Sequence, residues 1–173
     1  KSHAMSAIEI VMVYEKKLEL LQTLHVIFDY SWLILTSVNT VVIMDQILKE
    51  AAMDWSLFKD LSIACIGRST ANAVRDRGAS VALVPPMYQA ESLVEELLKQ
   101  DIRDQRILLP RAQGSRRILP DTLELAGAKV HEIQVYRAEI PETSRKELLR
   151  VLSQENLNYI TFTSSSTVNH FVE

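Results

Sequence analysis

Hydroxyl and guanidinium groups recur directly after apolar runs of this sequence. Thr36-Ser37-Val38-Asn39 begins at the last residue of WLILT, and Gly67-Arg68-Ser69-Thr70 follows SIACI. Later segments of the same kind are Pro85 to Gln89, Pro110 to Arg116, and Tyr136 at the end of KVHEIQV. Loops of this kind lead into helices, whose first-turn N–H groups are unpaired and attract anions. With Arg68, Arg111, Arg116 and Arg117 nearby, they predict a ligand that carries carboxylates or phosphates.

The elements that position these loops form an α/β pattern. Short apolar or β-branched runs alternate with segments that have apolar residues at three-to-four spacing. Such alternation is typical of a parallel sheet covered on both faces, and in open sheets of this kind ligands bind beyond the carboxyl ends of the strands. We predict a flavodoxin-like, doubly wound parallel sheet of five strands: Trp32 to Thr36, Ser62 to Ile66, Ser80 to Val84, Arg106 to Leu109 and Lys129 to Val135.

Several of these residues also have purely structural explanations. Ser37, Ser69 and Thr70 stand where helix N-caps are expected. Arg111 and Arg116 are equally consistent with solvated surface charges, and Tyr136 with a half-buried strand tyrosine. Cys65 lies in an apolar run, which predicts a core residue.

Composition limits the class of protein. The 173 residues carry a net charge of −3, with 47% hydrophobic and 24% charged residues, which is typical of a globular chain and not of a general nucleic-acid or membrane-surface binder. A single cysteine forms no internal disulfide, and no apolar run reaches the roughly 18 residues of a membrane span. We therefore expect a cytoplasmic protein with no membrane or nucleic-acid partner. Residues 1–5 are typical of a tag remnant.

Motifs for nucleotide, serine-hydrolase and zinc-protease chemistry are absent. The sequence contains no GxGxxG, GxxxxGK[ST], GxSxG or HExxH pattern, and no His, Asp and Glu cluster with metal-ligand spacing. We expect no metal and no cofactor.

An internal repeat indicates two similar units. Trp32 to Val41 (WLILTSVNTV) aligns without gaps on Tyr159 to Val168 (YITFTSSSTV). We predict a complete α/β domain over 6–140 with linker strands at both ends, and a linker plus an incomplete portion of a second α/β domain over 141–173. Ser164 and Ser165 occupy the second copy of the hydroxyl-rich turn.

Taken in order, these segments resemble the uroporphyrinogen-III synthase family. The resemblance covers roughly residues 30 to 173 and rests on WLILTSVNTV, IACIGRSTANAVRDRGASV, LVPPMYQAESLVEELL, RILLPRAQGSRRILPDTLELAGAKVHEIQVYRAE and YITFTSSSTVNHF. It implies two flavodoxin-like domains, a site in the cleft between them, and a protein that is monomeric at full length. Ala112 stands where a glycine is common in the family.

The resemblance also implies a reaction. Hydroxymethylbilane, a linear tetrapyrrole polycarboxylate, loses water and closes to uroporphyrinogen III with inversion of its last ring, and no cofactor takes part. Tyr136 and Thr70 match polar positions of the family's cleft and are the predicted catalytic residues, with Tyr136 as a proton donor. The predicted substrate-binding residues are Ser37, Val38, Asn39, Arg68, Ser69, Gln89, Arg111, Ser115, Arg116, Ser164 and Ser165.

Two other functions remain open from the sequence. The turn Thr163 to Thr167 is the kind of loop that cradles a phosphate, which suits a phosphosugar-binding or isomerase-type α/β domain. A receiver-like regulatory domain is less favoured because the strand-end loops contain no aspartate.

Overall fold

The computed structural model of the chain describes residues 9–139 and 141–154. In chain order the elements are β1 (Glu9–Met12), α1 (Tyr14–His25), β2 (Trp32–Leu35), α2 (Val38–Glu50), β3 (Ser62–Cys65), α3 (Arg68–Arg75), α4 (Ala90–Leu98), β4 (Arg106–Ala112), α5 (Ile118–Leu125), β5 (Lys129–Glu139) and α6 (Glu142–Gln154). Two short 3₁₀ helices, Ile27–Asp29 and Trp55–Phe58, precede β2 and β3. The alternation of strands and helices confirms the predicted α/β class.

The sheet has five strands in the order β1-β5-β4-β2-β3. The pairs β2 with β3, β2 with β4, and β4 with β5 are parallel. Strand β2 is buried along its whole length, as its run of apolar residues predicts for a strand covered on both faces.

Helices cover both faces of this sheet. Helices α2 and α3 pack on one face, against β2 and β3. On the other face, leucines of α4 and α5 form a buried cluster with alternate strand residues; its larger members are Trp32, Ile34, Leu93, Leu97, Ile107, Leu109, Leu119 and Leu123. The carboxyl ends of the parallel strands therefore emerge together between two layers of helices.

The prediction of a strand over Ser80 to Val84 is wrong. Only Leu83 pairs with the sheet, through a single parallel bridge to Ala64. Ser80 and Ala82 are exposed, so the segment lies along the outer edge of β3 and is not buried on two faces. Strand β1, which the predicted set of five left out, supplies the fifth strand.

Strand β4 is also longer than predicted, because it continues through Pro110 and Arg111 to Ala112. Proline lacks an N–H and normally ends a central strand. Here the pairing of β2 with β4 ends at Leu33 and Leu108, so β4 has a free edge beyond that point and tolerates the proline. Arg111 is therefore a strand residue, not the loop residue that the sequence predicts.

The chain divides into two compact units. One contains residues Met12–Arg137, and the other contains Lys1–Val11 together with Ala138–Glu173. Both β1 and β5 run across the boundaries of these units. The predicted tag remnant at 1–5, the repeat copy at Tyr159 to Val168 and most of the predicted second domain lie outside the described residues, so those interpretations stay predictions.

Candidate functional site

The candidate site lies where the parallel strands of the Met12–Arg137 unit end. The chain runs from β2 outward to β3 and then returns across β2 to β4, so the direction of the connections changes between β2 and β4. In open α/β sheets ligands bind at such a change of direction, outside the carboxyl ends of the strands. We call this region the carboxyl edge; it comprises residues 36–40, 66–70, 85–89 and 111–117, with Tyr136.

Ser37 and Tyr136 meet at the carboxyl edge. The two hydroxyl oxygens are 2.9 Å apart, although the residues are separated by 99 positions in sequence. Ser37 is also the N-cap of α2, where its Oγ accepts a hydrogen bond from the backbone N–H of Thr40 at 3.1 Å. The Thr40 hydroxyl lies 3.0 Å from the same Oγ. The capping explanation is thus confirmed for Ser37, and it coexists with a contact to the predicted proton donor.

Tyr136 is a strand residue, as predicted, but it is 6% exposed and not half-buried. It pairs with Ala112 of β4 across an irregularity in the register between Arg111 and Ala112. Its carbonyl oxygen accepts a hydrogen bond from the Gln113 N–H at 2.7 Å. The backbone on both sides of the phenol is therefore fixed by the sheet, and Ser37 fixes its hydroxyl.

Thr70 and Ser69 lie in the first turn of α3 and do not cap it. The N-cap of α3 is Gly67, so the capping explanation for these two residues is wrong. Thr70 is buried, whereas Ser69 and Arg68 are exposed at the surface of the edge. Of the three, only Ser69 and Arg68 present their side chains to solvent.

The arginines of the carboxyl edge differ in accessibility. Arg111 is 4% exposed, and its Nη2 donates to the carbonyl oxygen of Arg116 at 2.6 Å. Its Nε and Nη1 are buried without a hydrogen-bond partner among the described residues. Arg116 and Arg117 are exposed, and Arg117 forms ion pairs with Asp121 and Glu132. The surface-charge explanation is therefore wrong for Arg111, which is an interior cation.

Burial lowers the pKa of Arg111, because the charged guanidinium is removed from water. The carboxylate of Glu132 opposes this effect most strongly, the positive charge of Arg117 adds to it, and the carboxylate of Asp121 opposes it more weakly. Arg111 is therefore a buried cation on β4, the strand that pairs with the strand of Tyr136.

The other predicted binding residues lie at helix starts or in the loop between β4 and α5. Val38 and Asn39 are exposed in the first turn of α2, and Gln89 is the exposed N-cap of α4. Ser115 is half-buried, and its hydroxyl donates to the carbonyl oxygen of Ala112 at 2.9 Å. All four lie at the carboxyl edge, as predicted. Ser164, Ser165 and the turn Thr163 to Thr167 lie outside the described residues.

Sequence reasoning missed Tyr88 and Thr40. Tyr88 belongs to a loop that the prediction did consider, but only its polar Gln89 was selected. Its ring is exposed, and the guanidinium of Arg68 lies over it. The available signal was an aromatic residue in a strand-end loop, whereas the pairing with Arg68 joins distant segments and required the structure. Thr40 had a local signal, because a hydroxyl residue three positions after the N-cap Ser37 lies within the same helical turn.

Within the described residues, no group of three or more His, Cys, Asp or Glu side chains could hold a metal ion. In the same part of the chain, no helix combines the length and the apolar character needed to cross a bilayer.

A protein-family model described as "Uroporphyrinogen-III synthase HemD" matches residues 2–173. The chain belongs to the uroporphyrinogen-III synthase family. The resemblance seen in the sequence is thereby confirmed.

Among curated members of the uroporphyrinogen-III synthase family, one from Synechococcus elongatus is 36% identical over 153 residues, which is 88% of this chain and 57% of that protein. A putative uroporphyrinogen-III synthase from Methanothermobacter thermautotrophicus is 33% identical over 144 residues, covering 82% of this chain and 56% of its own length. The chain thus spans little more than half the length of these relatives.

Solved structures of uroporphyrinogen III synthases share the fold. A mutant of the Thermus thermophilus protein superposes with a TM-score of 0.67 at 14% identity, covering 96% of this chain and 64% of that one. The Helicobacter pylori protein gives a TM-score of 0.63 at 19% identity, covering 96% of this chain and 68% of that one.

Proposed function

We propose that this chain takes part in the cyclisation of hydroxymethylbilane to uroporphyrinogen III, with loss of water and inversion of the last pyrrole ring. Membership of the uroporphyrinogen-III synthase family supports the reaction. The carboxyl edge supports the choice of ligand, because its exposed guanidinium and hydroxyl groups suit a polycarboxylate. Most of the work assigned to the protein is positioning, so that one closure geometry of a flexible chain is favoured over spontaneous closure.

The observation that carries this proposal is the hydrogen bond between Ser37 and Tyr136. The N–H of Thr40 already donates to Ser37 Oγ, and the Thr40 hydroxyl is placed to donate to it as well. In the proposed arrangement both lone pairs of Ser37 accept these hydrogen bonds, and its own proton is donated to the Tyr136 oxygen. The phenol proton of Tyr136 is then available to a ligand.

In the proposed first step, the bond between the hydroxymethyl carbon and its oxygen breaks as the adjacent pyrrole nitrogen supplies electrons. Tyr136 gives its proton to the departing oxygen, which leaves as water. The hydrogen bond from Ser37 and the nearby charge of Arg111 stabilise the resulting phenolate. The last ring attacks the resulting methylene carbon through its substituted α-carbon and forms a spiro intermediate. The bond from that α-carbon to its original methylene bridge then breaks, and the ring's free α-carbon bonds to this bridge, which inverts the ring. The proton lost from that carbon as the ring regains aromaticity restores the phenol.

The test is product analysis. The full-length protein is incubated with hydroxymethylbilane, and the products are oxidised to porphyrins and separated by chromatography. The proposal predicts the type III isomer, formed faster than in a heat-denatured control. Type I product alone, at the rate of the control, would reject it.

We further propose that the protein works in the cytoplasm. The support is Cys65, a single thiol that is fully buried and unpaired and that needs no oxidising compartment.

A further inference from the structure

Among the described residues, Arg68 is the exposed arginine of the carboxyl edge that has no carboxylate partner. Arg111 is buried, Arg117 is held by two carboxylates, and Nη1 of Arg116 lies 4.0 Å from a carboxylate oxygen of Glu91. Arg68 is exposed at the start of α3, and its contact is with the ring of Tyr88. The guanidinium carbon is 5.9 Å from the ring centroid, within the range of a cation–π interaction.

Tyr88 is itself held against the backbone of the edge. Its Cβ and Cγ lie 3.9 Å from the point where a side chain on Gly67 would begin, so the ring sits over the N-cap of α3. The loop around it turns tightly, with the Gln89 N–H donating to the Met87 carbonyl oxygen at 2.9 Å. Tyr88 is nevertheless 53% exposed, so one large aromatic surface remains in water beside an arginine without a counter-ion.

We propose that Arg68 forms a carboxylate-binding subsite of the carboxyl edge and that Tyr88 is its positioning residue. A free arginine side chain loses considerable rotamer entropy when it binds a ligand, and contact with a fixed ring restrains it beforehand. The planar guanidinium keeps its N–H groups available for a two-pronged contact with a carboxylate. The ligand class, a polycarboxylated pyrrole, rests on the proposed function; the carboxylate preference rests on Arg68 and Tyr88 themselves.

The kinetic test uses the full-length protein and hydroxymethylbilane. Tyr88→Leu, which removes the ring, raises KM about three- to tenfold and leaves kcat within about twofold. Arg68→Gln raises KM at least as much, and Tyr88→Phe, which keeps the ring, behaves as wild type. Arg68→Lys does not restore wild-type KM, because an ammonium cannot make the two-pronged contact. In the Arg68→Gln background, Tyr88→Leu has no further effect.

Two outcomes overturn the subsite. One is an unchanged KM in Arg68→Gln. The other is a Tyr88→Leu effect that is equally large with and without Arg68, which would make the ring a separate contact. The matched control is Phe28→Leu, which removes an exposed aromatic ring from the 3₁₀ helix Ile27–Asp29, at the amino end of β2, and leaves KM unchanged. Thermal unfolding of each variant shows whether the fold is intact.

A binding assay separates failure of the subsite from failure of the proposed function. The probe is uroporphyrin I, a stable octacarboxylate, titrated by fluorescence quenching. If the wild-type protein forms no type III product while Arg68→Gln and Tyr88→Leu each weaken uroporphyrin binding about three- to tenfold, the proposed function fails and the subsite stands. If type III product forms and neither variant changes KM or uroporphyrin binding, the subsite fails and the function stands.

Discussion

The Ser37 hydroxyl caps α2 and at the same time lies 2.9 Å from the Tyr136 hydroxyl of β5. One oxygen thus joins the start of a helix to a strand that follows it 99 residues later. Because the cap holds Ser37 in place, the phenol is held as well. Local secondary structure and the geometry of the candidate site are therefore coupled through a single side chain.

The first prediction concerns stability. Ser37→Ala removes both the cap and the contact with Tyr136, and it lowers the free energy of unfolding by about 2 kcal/mol. In the Tyr136→Phe background the same change costs only about 1 kcal/mol, because the second contact is already absent. Urea denaturation of the wild type, both single variants and the double variant measures this coupling.

A second capping residue provides the control for this cycle. Asp54 caps the 3₁₀ helix Trp55–Phe58 by accepting from the Ser56 N–H at 2.8 Å, and no contact joins it to Tyr136 within the described residues. Asp54→Ala and Tyr136→Phe are expected to be additive. Additivity of Ser37→Ala with Tyr136→Phe would contradict the coupling.

The second prediction concerns turnover. Tyr136→Phe keeps the ring and removes the proton that the proposed first step needs, so kcat for hydroxymethylbilane falls about 100-fold or more. KM stays within about twofold, because the phenol acts on the leaving group and not on the carboxylates. Ser37→Ala keeps the phenol proton and gives a smaller loss. If kcat of Tyr136→Phe equals that of the wild type, Tyr136 is not the proton donor and the proposed step is wrong.

Much of the fold could be predicted because its signals are local. Strands β2 and β3 are short apolar runs, and the predicted cap of α2 depends only on residues within one turn. Ser80 to Val84, which was wrongly predicted as a strand, has the same local pattern. A run of apolar residues does not reveal whether the segment lies inside the sheet or at its edge. The position of a segment in the sheet depends on long-range contacts, and it is what separates Ser80 to Val84 from β2 and β3.

The site was predicted less completely for the same reason. In the sequence, Pro110 indicates the end of a strand. In the structure, β4 continues past Pro110 because its pairing with β2 has already ended at Leu108, and Arg111 therefore lies in the interior. The contacts of Ser37 with Tyr136 and of Arg68 with Tyr88 join distant segments. Residue types indicated that the candidate site lies at the carboxyl edge of the sheet. Which of its side chains are exposed and which are buried depends on tertiary packing and could not be predicted.

The third prediction follows from the burial of Arg111. Arg111→Met replaces a buried cation, two of whose nitrogens lack partners among the described residues, by an apolar chain of similar length. Stability is expected to stay within about 1 kcal/mol of wild type or to rise. Arg111→Ala leaves a cavity and lowers stability by about 2–4 kcal/mol. Denaturant unfolding of both variants decides between a packing role and a charge role.

Arg111 was also predicted to bind substrate, and enzyme kinetics tests that role. Because solvent does not reach its guanidinium, Arg111→Met is expected to raise KM less than Arg68→Gln does. A larger KM effect from Arg111→Met would show that the ligand reaches the interior cation.

The last prediction uses the thiol of Cys65, which is fully buried in β3 as the core prediction required. Burial raises the pKa of this thiol from 9.0 to about 12, so the folded protein keeps its proton in mildly alkaline solution while the unfolded chain loses it. The contribution of this thiol to the free energy of unfolding is therefore fully present below about pH 9 and is lost as the pH rises above that value. Between about pH 8 and pH 10 the loss amounts to about 1 kcal/mol.

Cys65→Ala isolates this contribution from the lysines and tyrosines that titrate in the same range. The stability difference between wild type and Cys65→Ala is expected to shrink by about 1 kcal/mol from about pH 8 to pH 10, as measured by urea unfolding at each pH. In the folded protein at about pH 8 the thiol reacts with a disulfide reagent only as fast as the chain unfolds, because the reactive thiolate is suppressed and enclosed. A difference that stays constant with pH, or a thiol that reacts without unfolding, would mean that Cys65 is accessible and that β3 is not covered on both faces.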